Sequence, residues 1–404
     1  MSKNPNVNVP SDSQIELTVE KLIPGGEGMA RHEGKVIFIA DVLPGERVRA
    51  RIYEAKKDFA RARLLEVLSP SQQRQQPPCP VAGVCGGCDW QHLQYKEQLR
   101  QKVSLTLDAL WRTGGISFPH LQIESGKPLG YRNRMQFHQD PLGRAGFLAR
   151  GSHDLVPVNA CPVMHPALNS LLMPKTTEGG LVVTDKNKSI RFTERYPAWA
   201  HSRGLSQKDF LISGEAGSRD PGFTVNILGR ELHFDLRCFF QSNLDMCEKL
   251  IPYVLQDLAG NEAMDLYCGV GLFGAFLRDH FNRIIAVEEN AVALKYARKN
   301  IGQSQVFLQG RLEDLVSERE AQLHASHPEV IVVDPPRPGL DATVLKFLIE
   351  KAPQALIYVS CNPVTLARDL KILLASGFHL EDLRLFDFYP QTAHVEAVAK
   401  LKKG

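Results

Sequence analysis

Cys361 stands in Tyr358-Val-Ser-Cys-Asn-Pro363, at the end of an apolar run, and Glu396 ends the segment Phe388-Tyr-Pro-Gln-Thr-Ala-His-Val-Glu. A thiolate can attack an electron-poor carbon and a carboxylate can remove a proton. The pair therefore suits covalent catalysis joined to general base catalysis. A third candidate, Asp334, opens Asp-Pro-Pro-Arg-Pro-Gly directly after the apolar strand Val-Ile-Val-Val. A carboxylate at the carboxyl end of a parallel strand sits where ligands bind. Taken alone, a cysteine at a strand end is more often core filler, and His394 and Glu396 could share the face of an exposed edge strand. The flanking Ser360, Asn362 and Pro363 mark the Cys361 segment as a shaped loop.

A second group of residues could hold a cofactor. Asp265-Leu-Tyr-Cys-Gly-Val-Gly-Leu-Phe-Gly follows a strand and opens a helix. Gly269 and Gly271 let backbone approach a ligand closely, and the helix start favours a negative group. The next strand ends in Val287-Glu288, roughly 20 residues on, where an acidic side chain can bond ribose hydroxyls. NAD and S-adenosylmethionine both carry such a ribose. A sulfonium donor gives the thiol and the carboxylate a task. Carbon 5 of uracil is a poor nucleophile; thiolate addition at carbon 6 makes it electron-rich, and a base must then remove its proton. Amino-methyltransferases follow a similar Asp-Pro-Pro with an aromatic, whereas Arg337 stands here, which argues against an exocyclic amine target.

These residues need a frame. From about residue 246, helices alternate with the strands AMDLY, RIIAVE, SQVFLQ, VIVVD and ALIYVS, which predicts an α/β fold with a parallel, Rossmann-like sheet. Residues 14–67 read instead as short strands separated by Pro24-Gly25-Gly26, Glu33-Gly34 and Pro44-Gly45, the pattern of a small antiparallel barrel. Alternation puts Arg47, Arg49 and Arg51 on one face, and Arg61 and Arg63 repeat the pattern. Residues 69–78 read as a linker. Leu99, Val103, Leu107 and Leu110 recur at helical spacing and read as core packing, with Gly114-Gly115 as the stop. Residues 123–235 read as a β-rich α+β region. The expected division is a disordered 1–13, a barrel over 14–68, a central region over 69–235 and a catalytic domain over 236–404.

The 404 residues carry 48 basic and 45 acidic side chains, a net charge of +3, so any nucleic-acid affinity must come from local patches. No apolar run approaches the roughly 20 residues that cross a bilayer, and no secretory signal is recognisable. The cytoplasm, no membrane partner and a monomer are the expectations. Eight cysteines in a reducing compartment point away from disulfides. Cys79, Cys85 and Cys88 cluster within ten residues, as metal ligands do. Spacing alone leaves zinc and iron–sulfur open.

Together, DLYCGVG, DPPRPG, SCNPVTLARDL and FYPQTAHVE resemble, in order and spacing, the RNA 5-methyluridine (uracil-C5) methyltransferase family, from about residue 14 to 400. The resemblance implies transfer of a methyl group from S-adenosylmethionine to carbon 5 of a uridine, with Cys361 as nucleophile and Glu396 as base. It places Gln241, in Phe240-Gln-Ser-Asn243, against the cofactor. Tyr267, Gly269, Leu272, Glu288, Arg311 and Asp334 match cofactor or uracil positions by alignment with the motifs. Two depart: Leu272 replaces a polar Asn of some members and could offer only backbone, and Arg311 cannot accept a bond from an adenine amino group. The N-terminal strands resemble the TRAM module, which implies RNA contact by the arginine face. Cys79, Cys85, Cys88 and Cys161 resemble the family's ligands to a [4Fe–4S] cluster. Tyr131-Arg132-Asn133-Arg134 also resembles a family motif, with Arg132 able to bond uracil or phosphate. The favoured RNA is 23S rRNA, because many tRNA-directed members lack cluster and barrel. A tRNA T-loop uridine is the alternative, and a non-catalytic RNA-binding iron–sulfur protein on the same scaffold is a third reading.

Overall fold

Strict alternation of apolar and polar residues closes the first five strands into a barrel. In this computed structural model they are β1 (Gln14–Leu22), β2 (Gly28–His32), β3 (Lys35–Ile39), β4 (Arg47–Ala55) and β5 (Phe59–Ser69), in the order β1-β2-β3-β5-β4 with β4 pairing back onto β1. Leu17, Val19, Ile37, Ile39, Val48, Ala50, Ile52 and Ala60 fill the interior. The structure describes residues 12–139, 144–169, 172, 190–193, 222–235 and 238–404. They form two units: residues 12–105, 146–158 and 389–394 in one, and 106–145, 159–388 and 395–404, as far as described, in the other. The expected disordered stretch falls largely on 1–11, outside the described residues. Asp12 and Ser13 already exchange backbone hydrogen bonds with Ile52, at 2.9 and 3.0 Å. Much of the central region, at 173–189 and 194–221, also lies outside the described residues.

The stretch after the barrel is not a loose linker. Glu46, fully buried, accepts from Leu43 N at 2.8 Å, Ser71 N at 3.1 Å, and Arg74 Nε and Nη2 at 2.6 and 2.8 Å. Burial raises the Glu46 pKa, but the Arg74 guanidinium and the two amides outweigh it and hold the carboxyl below its usual value. Arg74 therefore ties residues 71–74 to the barrel. Trp90, also fully buried, packs with Leu22, Leu43 and Leu93 and donates Nε1–H to Gly26 O at 3.1 Å.

Helix α1 (Tyr95–Ala109) forms where the leucine spacing predicts it, and Gly115 stops it at φ 68° after a wide π-type turn, Leu110–Gly114. The buried stripe differs from the expectation. Leu110 is buried, but Leu99, Val103 and Leu107 are only half-buried, while Gln98, Lys102 and Thr106 are fully buried. Gln98 Nε2 donates to Trp90 O, Leu93 O and Gln391 Oε1, at 3.0, 2.8 and 3.0 Å, and its Oε1 accepts from Gln391 N at 2.9 Å. Hydrogen bonds to backbone, not hydrophobicity, chose this face.

The second unit holds an eight-stranded sheet. Its strands are β6 (Gln122–Glu124), β7 (Gly260–Leu266), β8 (Phe281–Glu288), β9 (Val306–Gln309), β10 (Val330–Val333), β11 (Ala355–Ser360), β12 (Phe378–Phe386) and β13 (Glu396–Lys403), ordered β9-β8-β7-β10-β11-β13-β12-β6. Strands β9, β8, β7, β10 and β11 are parallel and fully apolar at their centres, as a sheet covered on both faces requires. Helices α2 (Leu244–Leu255), α3 (Leu272–Leu277), α4 (Ala291–Ile301), α5 (Leu312–Ser317), α6 (Ala342–Lys351) and α7 (Pro363–Ala375) join and flank these strands. The strand order reverses between β7 and β10, which opens a crevice at their carboxyl ends. Among the described residues no helix is long and apolar enough to cross a membrane.

Glu46 supplies a test. Its depressed pKa contributes stability that is present above the unfolded value of about 4.3 and lost as pH falls through the folded value. Arg74→Ala strands a buried carboxylate and should cost about 3 kcal/mol in urea unfolding at pH 7, and the loss should shrink as pH drops towards 3.

Candidate functional site

The carboxyl edge of the sheet gathers the sequence candidates. Ser360 of β11 pairs with Ala397 of β13, so Cys361 follows directly opposite Glu396. Val333 of β10 pairs with Tyr358, which sets Asp334 beside the same strand. Glu396 is buried, and Cys361 and Asp334 are half-buried. Burial pushes the Cys361 thiol up to about 11, Glu396 and Asp334 push it further in the same direction, and Arg337 opposes them. Glu396 is raised well above the carboxylate range, by burial and then by Asp334. Asp334 is raised by burial as well. Both acids thus sit above their ordinary range, and charge on Asp334 works against ionisation of Glu396.

Local sequence explains the loop that carries Cys361. Asn362 caps α7, accepting from Val364 N at 3.1 Å, with Pro363 in the first turn, where its missing N–H costs nothing. Ser360 Oγ accepts from Asn362 N at 3.2 Å. The thiol is thus fixed between a strand end and a capped helix start.

The glycine loop lies one crevice away. Gly269 has φ 55° with open space where a Cβ would stand, and its N–H donates to Glu288 Oε2 at 2.9 Å. Gly271 has φ 82°, and a Cβ there would meet Ile301 Cδ1 at 2.9 Å, so glycine alone fits. Glu288 Oε1 accepts from Asn290 N at 2.7 Å, which leaves each carboxylate oxygen a further lone pair for ligand hydroxyls. Asp265, fully buried, accepts Gly274 N at 2.7 Å through Oδ2, while Oδ1 has no partner. Burial, offset in part by that amide, and the nearby Asp334 and Glu288 bring its pKa up to about 7.

Gln241 is buried and its Oε1 lacks a partner, which leaves an acceptor for a ligand donor. Asn243 beside it caps α2 through Met246 N at 3.2 Å and donates Nδ2–H to Phe388 O at 3.2 Å. Tyr267 adopts φ 61° and donates its hydroxyl to Glu313 at 2.9 Å. Leu272 is buried at the start of α3, so its side chain serves packing. Arg311 is 59% exposed at its side chain, with Nε 3.8 Å from Glu313. Sequence reasoning missed Glu313, the acceptor at this corner; its place in the first turn of α5 was the available signal. Arg132 is half-buried and donates Nε–H to Arg134 O at 3.3 Å, and Asn133, its Oδ1 without a partner, donates N–H to Ser242 O at 3.0 Å.

On the barrel, Arg47, Arg49 and Arg51 do share the outer face. Two are already engaged: Arg47 and Arg49 with Glu16 at 3.3 and 3.2 Å, and Arg49 with Glu66 at 2.6 Å. Arg51 stands across from Arg63.

The cysteines divide between the units. Cys79, Cys85 and Cys88, each half-exposed, lie on one loop, which is wound by Ala82 N to Cys79 O and Cys85 N to Val81 O, at 3.2 and 3.0 Å. Burial raises the Cys85 thiol, the Gly87 amide lowers it, the nearby Cys79 raises it again and Arg150 lowers it. Cys161 belongs to the second unit, where its N–H donates to Asn169 Oδ1 at 2.7 Å. The donors suit a soft metal, but among the described residues no three Cys, His, Asp or Glu side chains are gathered closely enough to hold one.

Comparison with known proteins adds the following. Residues 223–404 match the profile of the tRNA (Uracil-5-)-methyltransferase family, and residues 13–65 match the TRAM domain. An uncharacterized RNA methyltransferase of Synechocystis sp. is 35% identical, over 96% of both chains. A 23S rRNA (uracil(1939)-C(5))-methyltransferase of Pectobacterium atrosepticum is 31% identical, over 95% of this chain and 93% of its own. The crystal structure of a Pyrococcus abyssi tRNA (uracil-54, C5)-methyltransferase with S-adenosyl-L-homocysteine has the same fold, with a TM-score of 0.72 and 22% identity over 96% of this chain and all of that one.

The raised thiol makes a direct prediction. With the ligand-free Cys361 pKa near 11, alkylation at that residue should rise about tenfold per pH unit from pH 7 to 10. Iodoacetamide labelling followed by peptide mapping would show it; a plateau below pH 9 would contradict the anionic surroundings.

Proposed function

Because this chain belongs to the RNA uracil-C5 methyltransferases, which depend on S-adenosylmethionine, we propose that it methylates a uridine of 23S rRNA through Cys361 and Glu396. The adjacency of the two side chains at one sheet edge carries the reading. The Cys361 thiolate adds to carbon 6 of the uracil, and the electron pair moves to carbon 5 and the carbonyl at carbon 4. Carbon 5 attacks the methyl of the sulfonium, and S-adenosylhomocysteine leaves. Glu396 takes the carbon 5 proton, and the pair it releases expels the thiolate to give 5-methyluridine. The raised Glu396 pKa matches a group that must accept a proton and pass it on.

The residues fit the methyl donor. Glu288 has lone pairs for its ribose hydroxyls, Gln241 Oε1 is an unmatched acceptor, and Gly269 gives close backbone approach. A sulfonium brings the positive charge that Asp265, Asp334, Glu396 and the thiol lack, so its arrival favours their ionised forms. Tyr267 and Leu272 line the loop, and Asp334 serves the uracil side. Arg311 is assigned to the cofactor corner only through its pairing with Glu313.

The division 14–68, 69–235 and 236–404 is part of this reading, with RNA carried by the barrel and the central region. So is a [4Fe–4S] cluster on Cys79, Cys85, Cys88 and Cys161, supported by the Cys79-x5-Cys85-Gly-Gly-Cys88 spacing and the thiolate donor set. It enters no chemical step. Iron and sulfide in equal amounts after anaerobic purification would support it, and zinc in their place would remove it.

Three outcomes test the reading. Cys361→Ala should abolish methylation of a 23S transcript. Glu396→Gln should accumulate a protein–RNA adduct that survives denaturation, because the carbon 5 proton stays on. Label from the methyl donor appearing in tRNA and not in 23S rRNA would transfer the activity to a T-loop uridine. The tRNA reading keeps its place because the fold is shared with a tRNA-acting enzyme.

A further inference from the structure

Asp369 is a fully buried carboxylate in the middle of α7, among the buried Leu366, Leu370 and Leu373. Its Oδ2 accepts from Tyr358 OH at 2.7 Å and Leu340 N at 2.9 Å, and its Oδ1 from Arg368 Nε at 2.8 Å. Arg368 Nη2 then donates to Pro338 O and Leu340 O, at 3.0 and 3.1 Å. One turn earlier, Asn362 Nδ2 and Thr365 Oγ1 both donate to Arg337 O, at 3.1 and 3.2 Å. Gly339, at φ 79°, comes so close that a Cβ would lie 2.6 Å from Asp369 Oδ2. Helix α7, which starts directly after Cys361, therefore grips the backbone of residues 337–340 at four atoms.

Packing alone does not ask for this. Arg368 is 46% exposed and Asp369 fully buried, and a pair that takes a carboxylate out of water contributes little net stability compared with apolar side chains of the same volume. What it specifies is position. The gripped loop begins three residues after Asp334 and carries Arg337, whose guanidinium is exposed and has no ion-pair partner among the described residues. Beyond burial, the charges of Glu396 and Asp334 oppose the Cys361 thiolate and that of Arg337 favours it.

We propose that Arg368 and Asp369 are positioning residues: they latch the 337–340 loop to the helix that follows Cys361 and so hold the Arg337 guanidinium against the nucleophile. The proposal rests on Cys361 being the nucleophile. The pairing favours the thiolate, so losing the latch slows thiolate formation and leaves the cofactor loop untouched.

The test uses the full chain, with methylation kinetics and the pH profile of Cys361 alkylation read together. Arg368→Ala should lower both Cys361 alkylation at pH 8 and kcat by about tenfold, the effect of one pKa unit, with KM for S-adenosylmethionine unchanged. Arg337→Ala should do the same, and the double variant should be no worse than Arg337→Ala alone. Arg368→Lys, which can reach one carbonyl but not three partners, should recover only part of the loss. If Arg368→Ala does not fold, Thr365→Val decides, with a smaller loss of the same kind, because it removes one of the two hydrogen bonds to Arg337 O and keeps every Asp369 bond. Unchanged Cys361 reactivity in a folded latch variant, or additive losses in the double variant, overturns the latch. Methylation by Cys361→Ala would instead overturn the nucleophile assignment, whatever the latch variants show.

Discussion

Too many anions share too little water at the carboxyl edge of the sheet. Asp265, Asp334 and Glu396 are each raised by burial, and Cys361 is raised with them. In a low-dielectric site, like charges a few ångströms apart repel by several kcal/mol. The fold can keep such a set only because its strands are fixed by the apolar residues at their centres and because some of the groups stay protonated. The ligand-free site therefore favours protonated forms, which a cation would turn towards ionised ones. In the proposed reaction the sulfonium is a cation that also carries the group to be transferred, so binding and activation would be one electrostatic event.

The candidate residues were legible because strand ends announce themselves. An apolar run that stops at Ser360-Cys361-Asn362-Pro363 gives a strand, a cap and a helix start in four residues, and the register with β13 followed from the fold. Asp334 and the Gly269 loop were legible for the same reason. Asp369 was not, because a carboxylate in VTLARDLKILL looks like part of a solvated face. The signal was its spacing from Leu366, Leu370 and Leu373, which puts it on the buried side.

Helix α1 failed in the opposite sense. Leucine periodicity gave its existence and its end, but not its buried face. Gln98 and Lys102 turn inward to donate to backbone carbonyls there: Gln98 bonds Trp90 O and Leu93 O, and Lys102 Nζ bonds Tyr389 O at 3.0 Å. Such partners are invisible in a local window. The arginines of β4 were placed on the right face by alternation, yet Glu16 and Glu66 come from other strands and engage two of them. Charge counted along one strand overstates what that face can offer a phosphate.

The Gln98–Gln391 amide pair joins residues 293 positions apart. Gln391 sits at φ 69°, a backbone state an unbranched side chain adopts only under constraint, and its carbonyl also receives Asp89 N and Trp90 N at 3.1 and 3.0 Å. During synthesis the barrel can close early, from its own local strands. The residues just after Cys88 cannot be finished until residue 391 has left the ribosome, and the entropy of closing so long a loop is then met all at once. Asp89 and Trp90 thus wait for partners that the chain supplies only near its end, although they are themselves made early.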